Sequence, residues 1–261
     1  MQKEEIKFCD SAVFEGMTSI RAIIKSYDSK TNDRRIEKIL FDKSKLPKIA
    51  KEVGYLRAVS SKYSFELVET TSEALDEITL GNSHGGLAAI TSSRTIPPLS
   101  PAIPIATNGF YAMIQGIEDP YNFGYALRSL YAVGADGIIL PKRNWMSAAG
   151  VVCRSSAGAS ELFNIYSAEP EEAVEIFKNH GYTVVCAEEN TSNILGECSL
   201  PLPILLIVGG EKRGISKSII DRADILVKID YNRDFKASLS AASATTIFAY
   251  EIMRQNKFKN K

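Results

Sequence analysis

Apolar residues fall in two patterns along the chain. Short, nearly continuous runs predict strands at Ile36–Asp42, Ser64–Val68, Leu87–Ile90, Phe110–Ile117, Gly137–Leu140, Tyr182–Ala187, Pro203–Val208 and Ile225–Asp230. Between them, apolar positions at helical spacing predict helices over Gly16–Ile24, Lys45–Val53, Ser72–Ile78, Asn122–Val133 and Pro170–His180, with a closing helix that starts near Ser238. Boundary residues agree: Ser72 suits an N-cap, Gly134 and Gly181 follow helix ends, and Pro170 sits in a first turn. In the helix after Asn122, Ala126, Leu127, Leu130 and Val133 form one apolar stripe, and Arg128 lies off it. The first sixteen residues read as a loose start anchored by Phe8 and Phe14, and Pro141–Gly150 as a loop turning into a helix.

Pro97, Pro98, Pro101 and Pro104 crowd the stretch Ser92–Asn108, which therefore suits neither a regular helix nor a central strand. This divides the chain into an N-terminal domain (1–95), a proline-rich linker (96–107) and a C-terminal domain (108–261). Alternating helices and strands make the first a small α/β or α+β sandwich. The pattern of the second is that of an α/β parallel sheet.

Composition narrows the classes. With 45% hydrophobic residues the chain has material for a real core, and no apolar run approaches the length of a membrane span. Lys plus Arg equals Asp plus Glu at 31 each, so any nucleic acid must meet a local patch rather than a global field. Cys9, Cys153, Cys186 and Cys198 form no C-x-x-C pair, and no basic-then-apolar leader opens the chain, which together imply reduced thiols and a cytoplasmic location. His84 and His180 alone leave a metal site short of ligands.

The densest chemistry lies at the C-terminus. A buried strand runs into Gly209-Gly210, the usual form of a parallel strand that presents a ligand to the loop at its carboxyl end, and the loop continues through Glu211, Lys212, Arg213 and Gly214. Neither a phosphate loop nor a G-x-G-x-x-G turn is present. The G-x-E-x-x-G spacing instead resembles the second motif of the SpoU-type (TrmH-like) RNA 2′-O-ribose methyltransferases of the SPOUT class. Asp119 to Arg128, with Pro120, Asn122 and Gly124 between, is similar to that family's first motif. Ile229 followed by Ser238-Leu239 is similar to its third, and Ser83-His84-Gly85-Gly86-Leu87-Ala88 to the close of its N-terminal RNA-recognition domain.

The resemblance implies a C-terminal domain tied in a trefoil knot, with S-adenosylmethionine held largely by backbone groups at Gly209, Gly210, Gly214, Ile229 and Leu239. It implies catalytic roles for Asn122, Arg128, Glu211, Ser238 and Ser240, and RNA contacts from His84, Arg128, Lys212 and Arg213. It implies structured ribosomal or transfer RNA as the partner, ribosomal RNA favoured. It also implies a homodimer through the knotted domain, with the exposed face of the last helix and the small-residue turn around Gly158 as candidate contacts.

Each residue also has a plainer reading. His84 suits a turn, Asn122 an N-cap, Arg128 and the Lys212-Arg213 pair a solvated surface, and Glu211 a loop tip. Ile229 and Leu239 suit core packing, and Ser238 or Ser240 the cap of the last helix. Ser240 also stands where the family's S-L-N-x-S motif has asparagine. That departure keeps open an RNA-binding or ribosome-assembly factor without catalysis; an unrelated α/β enzyme with a nucleotide at its strand ends is the further alternative.

Overall fold

The computed structural model describes residues 12–80, 84–141, 148–210 and 213–257. The strands are β1 (Ala12–Glu15), β2 (Ile36–Asp42), β3 (Glu66–Thr70), β4 (Leu87–Thr91), β5 (Phe110–Gln115), β6 (Gly137–Leu140), β7 (Asn164–Ser167), β8 (Thr183–Ala187), β9 (Ile204–Gly209) and β10 (Ile225–Val227). The helices are α1 (Gly16–Ser29), α2 (Leu46–Tyr63), α3 (Ser72–Ile78), α4 (Pro120–Val133), α5 (Ala149–Ser155), α6 (Ala159–Leu162), α7 (Pro170–Asn179), α8 (Lys217–Ile220) and α9 (Ala241–Lys257). Contacts group these residues into two compact units, one of 12–95 with 148–162, the other of 96–141 with 163–210 and 213–257.

The first unit is a four-stranded sheet in the order β1-β4-β2-β3, antiparallel except for the β2/β3 pair. Helix α1 buries Ile20, Ile23 and Ile24 at helical spacing, and it stops where Lys30 turns left-handed and returns its N–H to the carbonyls of Ser26 and Tyr27. Helix α2 runs ten residues beyond the predicted end at Val53: Gly54 lowers helix propensity, but buried Leu56 carries the helix on to a left-handed cap at Ser64. From Ala12 to Glu15, strand β1 stands where a loose start was expected, hidden in the sequence because its pairing partner, β4, is remote; the rest of that start, with Phe8, lies outside the described residues.

Helices α5 and α6, which the linear reading gives to the C-terminal domain, pack within this first unit. Arg34, 1% exposed, donates from Nε to Glu161 Oε2 at 2.9 Å and lies 4.6 Å from the Phe14 ring centroid. Arg154 pairs with Glu15 at 2.6 Å. Gly158 is buried against α1: a Cβ there would stand 2.5 Å from that of Ala22. The small-residue turn expected as a contact for a partner subunit is therefore filled from within the unit.

The second unit is a six-stranded, fully parallel sheet in the order β10-β8-β9-β5-β6-β7. Both faces are covered, which is why the strands read as continuous apolar runs. On one face Tyr111 and Met113 pack with Val174 and Phe177 of α7, and α4 packs on α9, where Thr246 donates to Ser129 at 2.7 Å. Strand β7 was not expected from the sequence. The proline stretch runs beside it, with the Leu99 N–H on the Ser167 carbonyl at 2.8 Å and the Ser167 N–H on that of Pro97 at 2.9 Å. An edge tolerates prolines because no outer neighbour asks for their missing N–H.

The direction of winding reverses between β9 and β5, and at such a point the loops at the strand ends part to leave a crevice. Among the described residues, no helix is long and apolar enough to cross a membrane.

Candidate functional site

Three loops leave the carboxyl ends of β8, β9 and β10 and meet the start of α9 around a cavity of about 270 Å³. Gly209, Gly210, Gly214, Ile229, Leu239 and Ser238 all line it. Sequence reasoning missed Glu188, Glu189, Lys228 and Tyr231, which also line it. The polar runs after β8 and after β10 were the available signal.

The glycines are fixed by backbone approaching backbone. A Cβ on Gly209 would lie 2.5 Å from the Gly214 carbonyl carbon, and one on Gly210 would lie 2.4 Å from the Gly116 carbonyl oxygen. Gly214 closes the turn with φ +57 and donates its N–H to the Gly210 carbonyl at 2.9 Å. Only glycine lets these strands end so close together, and the same approach leaves peptide groups facing the cavity.

The opposite wall is held by side chains. Ser238 donates to Glu189 Oε1 at 2.6 Å, and the Leu239 N–H donates to the Tyr231 hydroxyl at 3.2 Å. Glu188 folds back to accept from the Asn190 backbone N–H at 3.0 Å and from its side chain at 3.1 Å. The β10 loop is pinned to the β8 loop by Lys228 N–H to the Asn193 carbonyl at 2.9 Å and Leu195 N–H to the Lys228 carbonyl at 2.8 Å. Strand β10 ends at Val227, so Ile229 is a loop residue rather than part of the predicted strand.

Ser240 has a defined structural place. Its Oγ accepts the Ser243 N–H at 3.2 Å and its carbonyl accepts from Ala244 at 2.9 Å, which makes it the N-cap of α9. Asn122 is not a cap: Asp119 takes that place on α4, accepting the Tyr121 N–H at 3.0 Å, and Asn122 follows in the first turn, half-buried. Arg128 is exposed and makes no ion pair among the described residues. It shares one side of α4 with exposed Tyr121 and Tyr125, and neither Asn122 nor Arg128 belongs to the cavity wall.

The remaining residues separate cleanly. His84, expected on an RNA-facing surface, is 1% exposed: its Nδ1 accepts the Gly86 N–H at 3.1 Å, and its Nε2 lies 3.0 Å from Asp76 Oδ1. Both ring nitrogens are engaged within a turn of the first unit, and the ring is shielded from solvent. Arg213 is exposed on the β9 loop; Glu211 and Lys212 lie outside the described residues. Burial pushes the Cys186 thiol, one residue before the cavity wall, up to about 12, which leaves it protonated and unreactive. No cluster able to hold a metal occurs among the described residues.

The profile of the SpoU rRNA Methylase family matches residues 109–250, more than half of the chain and the whole cavity wall. A protein of Staphylococcus haemolyticus described as a TrmH family tRNA/rRNA methyltransferase is 30% identical over 144 residues, 55% of this chain and 57% of that one. The chain thus matches little more than half the length of that relative. Among solved structures, an RNA 2′-O ribose methyltransferase superposes with TM-score 0.78 at 21% identity, covering 94% of this chain and 89% of the other. The SpoU methyltransferase AviRb from Streptomyces viridochromogenes, in complex with AdoMet, superposes with TM-score 0.77 at 20% identity, covering 97% and 96%. At such identities the superpositions show the fold.

Proposed function

The chain belongs to the SpoU rRNA Methylase family, and from that premise we propose that it methylates a ribose 2′-hydroxyl in structured RNA, ribosomal RNA favoured over transfer RNA, with S-adenosylmethionine as donor. The observation that carries the reading is the cavity at the ends of β8, β9 and β10. Its volume is near the lower end of the roughly 300–1,000 Å³ common for small-ligand sites. Its wall offers peptide groups around Gly209, Gly210, Ile229 and Leu239 for an adenine and ribose, and the carboxylates of Glu188 and Glu189 for hydroxyl or cationic groups.

Bound there, the donor supplies an electrophilic methyl carbon. The chain must hold the acceptor hydroxyl in line with it and let the hydroxyl proton leave. Arg128 suits the phosphate beside the acceptor, because a guanidinium with a pKa above about 12 clamps a phosphate far better than it accepts a proton. Ser240, engaged as a helix cap, is left out of the chemistry.

Arg128 lies outside the cavity wall of its own chain, and this is the ground for including a homodimer. Tyr121, Tyr125, Ile247 and Tyr250 are 40% or more exposed on α4 and α9, an apolar face suited to a second copy. Pairing through that face would let one chain's Arg128 serve its partner's donor cavity. The reading also includes the trefoil threading of the loops from Gly209 to Leu239 and assigns RNA recognition to the N-terminal domain, 1–95.

The test is transfer of labelled methyl from S-adenosylmethionine to RNA lacking the modification, followed by alkaline hydrolysis, which spares a 2′-O-methylated linkage. Label retained in an alkali-stable dinucleotide and lost with Arg128→Ala is the expected result. Label on a base, or no transfer with donor and RNA both bound, would overturn it. The second outcome would favour a non-catalytic RNA-binding factor, toward which the serine at 240 points.

A further inference from the structure

Charge in the first unit is segregated, although the chain as a whole is neutral. The stretch Lys43–Tyr63 contains six basic residues and one acidic one. On α2, Lys51, Tyr55 and Lys62 follow at spacings of four and seven, so they stand on one side of the helix; Lys48 precedes a break in helical geometry at Ile49, and all four are exposed. Helix α1 lies alongside: Arg21 is over the Tyr55 ring at 5.8 Å, and Asp28 pairs with Lys62 at 3.1 Å. Seven residues separate these contacts on each helix, so the helices run parallel over about 10 Å.

Pairing distinguishes two sets of cations. On the sheet side, Lys38 meets Glu66 at 3.4 Å and Lys43 meets Glu69 at 2.7 Å. Arg21, Lys25, Lys48 and Lys51 are exposed and have no ion-pair partner among the described residues. One unneutralised cation, Arg21, thus lies over an exposed aromatic ring, and three more, Lys25, Lys48 and Lys51, are carried by the same two helices. Phosphates with an unstacked base fit that combination.

We propose that the α1–α2 face, centred on Tyr55, is the RNA-docking surface of the N-terminal domain, with Lys48, Lys51, Arg21 and Lys25 on phosphates and Tyr55 stacked against an unpaired base. This rests on the RNA-methylating reading and places recognition on a surface other than the buried His84. An RNA bound this way releases about 0.7 counterion per phosphate contact, so its affinity falls with salt in proportion to the contacts made.

The experiment titrates the full chain with a fluorescein-labelled, mixed-sequence single-stranded RNA from about 50 to 200 mM salt, a range in which counterion release is large. Lys48→Ala/Lys51→Ala should weaken binding roughly tenfold at low salt and reduce the log–log slope by about 1.4. Lys38→Ala/Lys43→Ala, an equal change of charge on the sheet side, should leave both nearly unchanged. Tyr55→Ala should weaken binding without changing the slope, and Tyr55→Phe should restore it. Equal losses in the two double variants, no loss in the first, or no RNA binding by the parent chain would overturn the proposal. S-adenosylmethionine binding and methyl transfer by the same preparations separate the two claims: transfer that persists with an unaltered RNA affinity in Lys48→Ala/Lys51→Ala leaves the methyltransferase standing and removes this surface.

Discussion

Ser240 and Asp42 show what single positions contribute. The Ser240 oxygen caps α9, so Ser240→Ala should cost about 1 kcal/mol in urea unfolding, and Ser240→Asn, which restores the family's usual residue, should cost little. If Ser240→Ala instead leaves stability intact and abolishes methyl transfer, the side chain works in catalysis and not as a cap. Asp42 is fully buried; burial raises its pKa, but hydrogen bonds from Ser72 and from the Ser44 hydroxyl and N–H, with the Lys45 ammonium nearby, outweigh that and hold it at about 2, below the ordinary 3.8. A depressed pKa stabilises fully above the unfolded value and loses its effect as pH falls through the folded one. Thermal melts should therefore show the parent chain losing its advantage over Asp42→Asn between about pH 4 and pH 2; an advantage constant through that window would contradict the assignment.

Elements were legible in the sequence where local pattern decides them and hidden where a distant partner does. The parallel strands of the second unit stand out because both faces are buried, and α4 because its apolar stripe and its closing Gly134 agree, although its N-cap is Asp119 rather than Asn122. Strand β1 is four residues long and exists through β4; β7 is equally short and pairs with β6 and the proline stretch. The cavity-lining positions named from motifs do face the cavity, since glycine after an apolar strand signals close backbone approach. Glu188, Glu189 and Tyr231 went unseen because polar loop residues carry no period. The placement of α5 and α6 also depends on tertiary contact, and the buried Arg34–Glu161 pair is its anchor. Removing one partner strands a buried charge, so Glu161→Ala should lower unfolding free energy by roughly 3–5 kcal/mol. A loss below about 1 kcal/mol, the range of a surface pair, would mean that these helices are held by other contacts.

At the scale of the molecule, the two units divide the proposed work: a parallel sheet whose β8, β9 and β10 ends enclose the proposed donor cavity, and a smaller sheet whose helices present unpaired cations. Neutral net charge is consistent with this because acidic residues neutralise the sheet side of the small unit and leave α1 and α2 basic. The central claim is the identity of the ligand in the cavity, and isothermal titration with S-adenosylmethionine tests it most directly. Ala244, at the start of α9, lines the cavity without the backbone crowding that makes any substitution at Gly209 ambiguous. Saturable one-site binding by the parent chain, weakened at least tenfold in a folded Ala244→Leu variant, is the predicted result; absence of binding by the folded, ligand-free parent, or equal binding by the two, would contradict it.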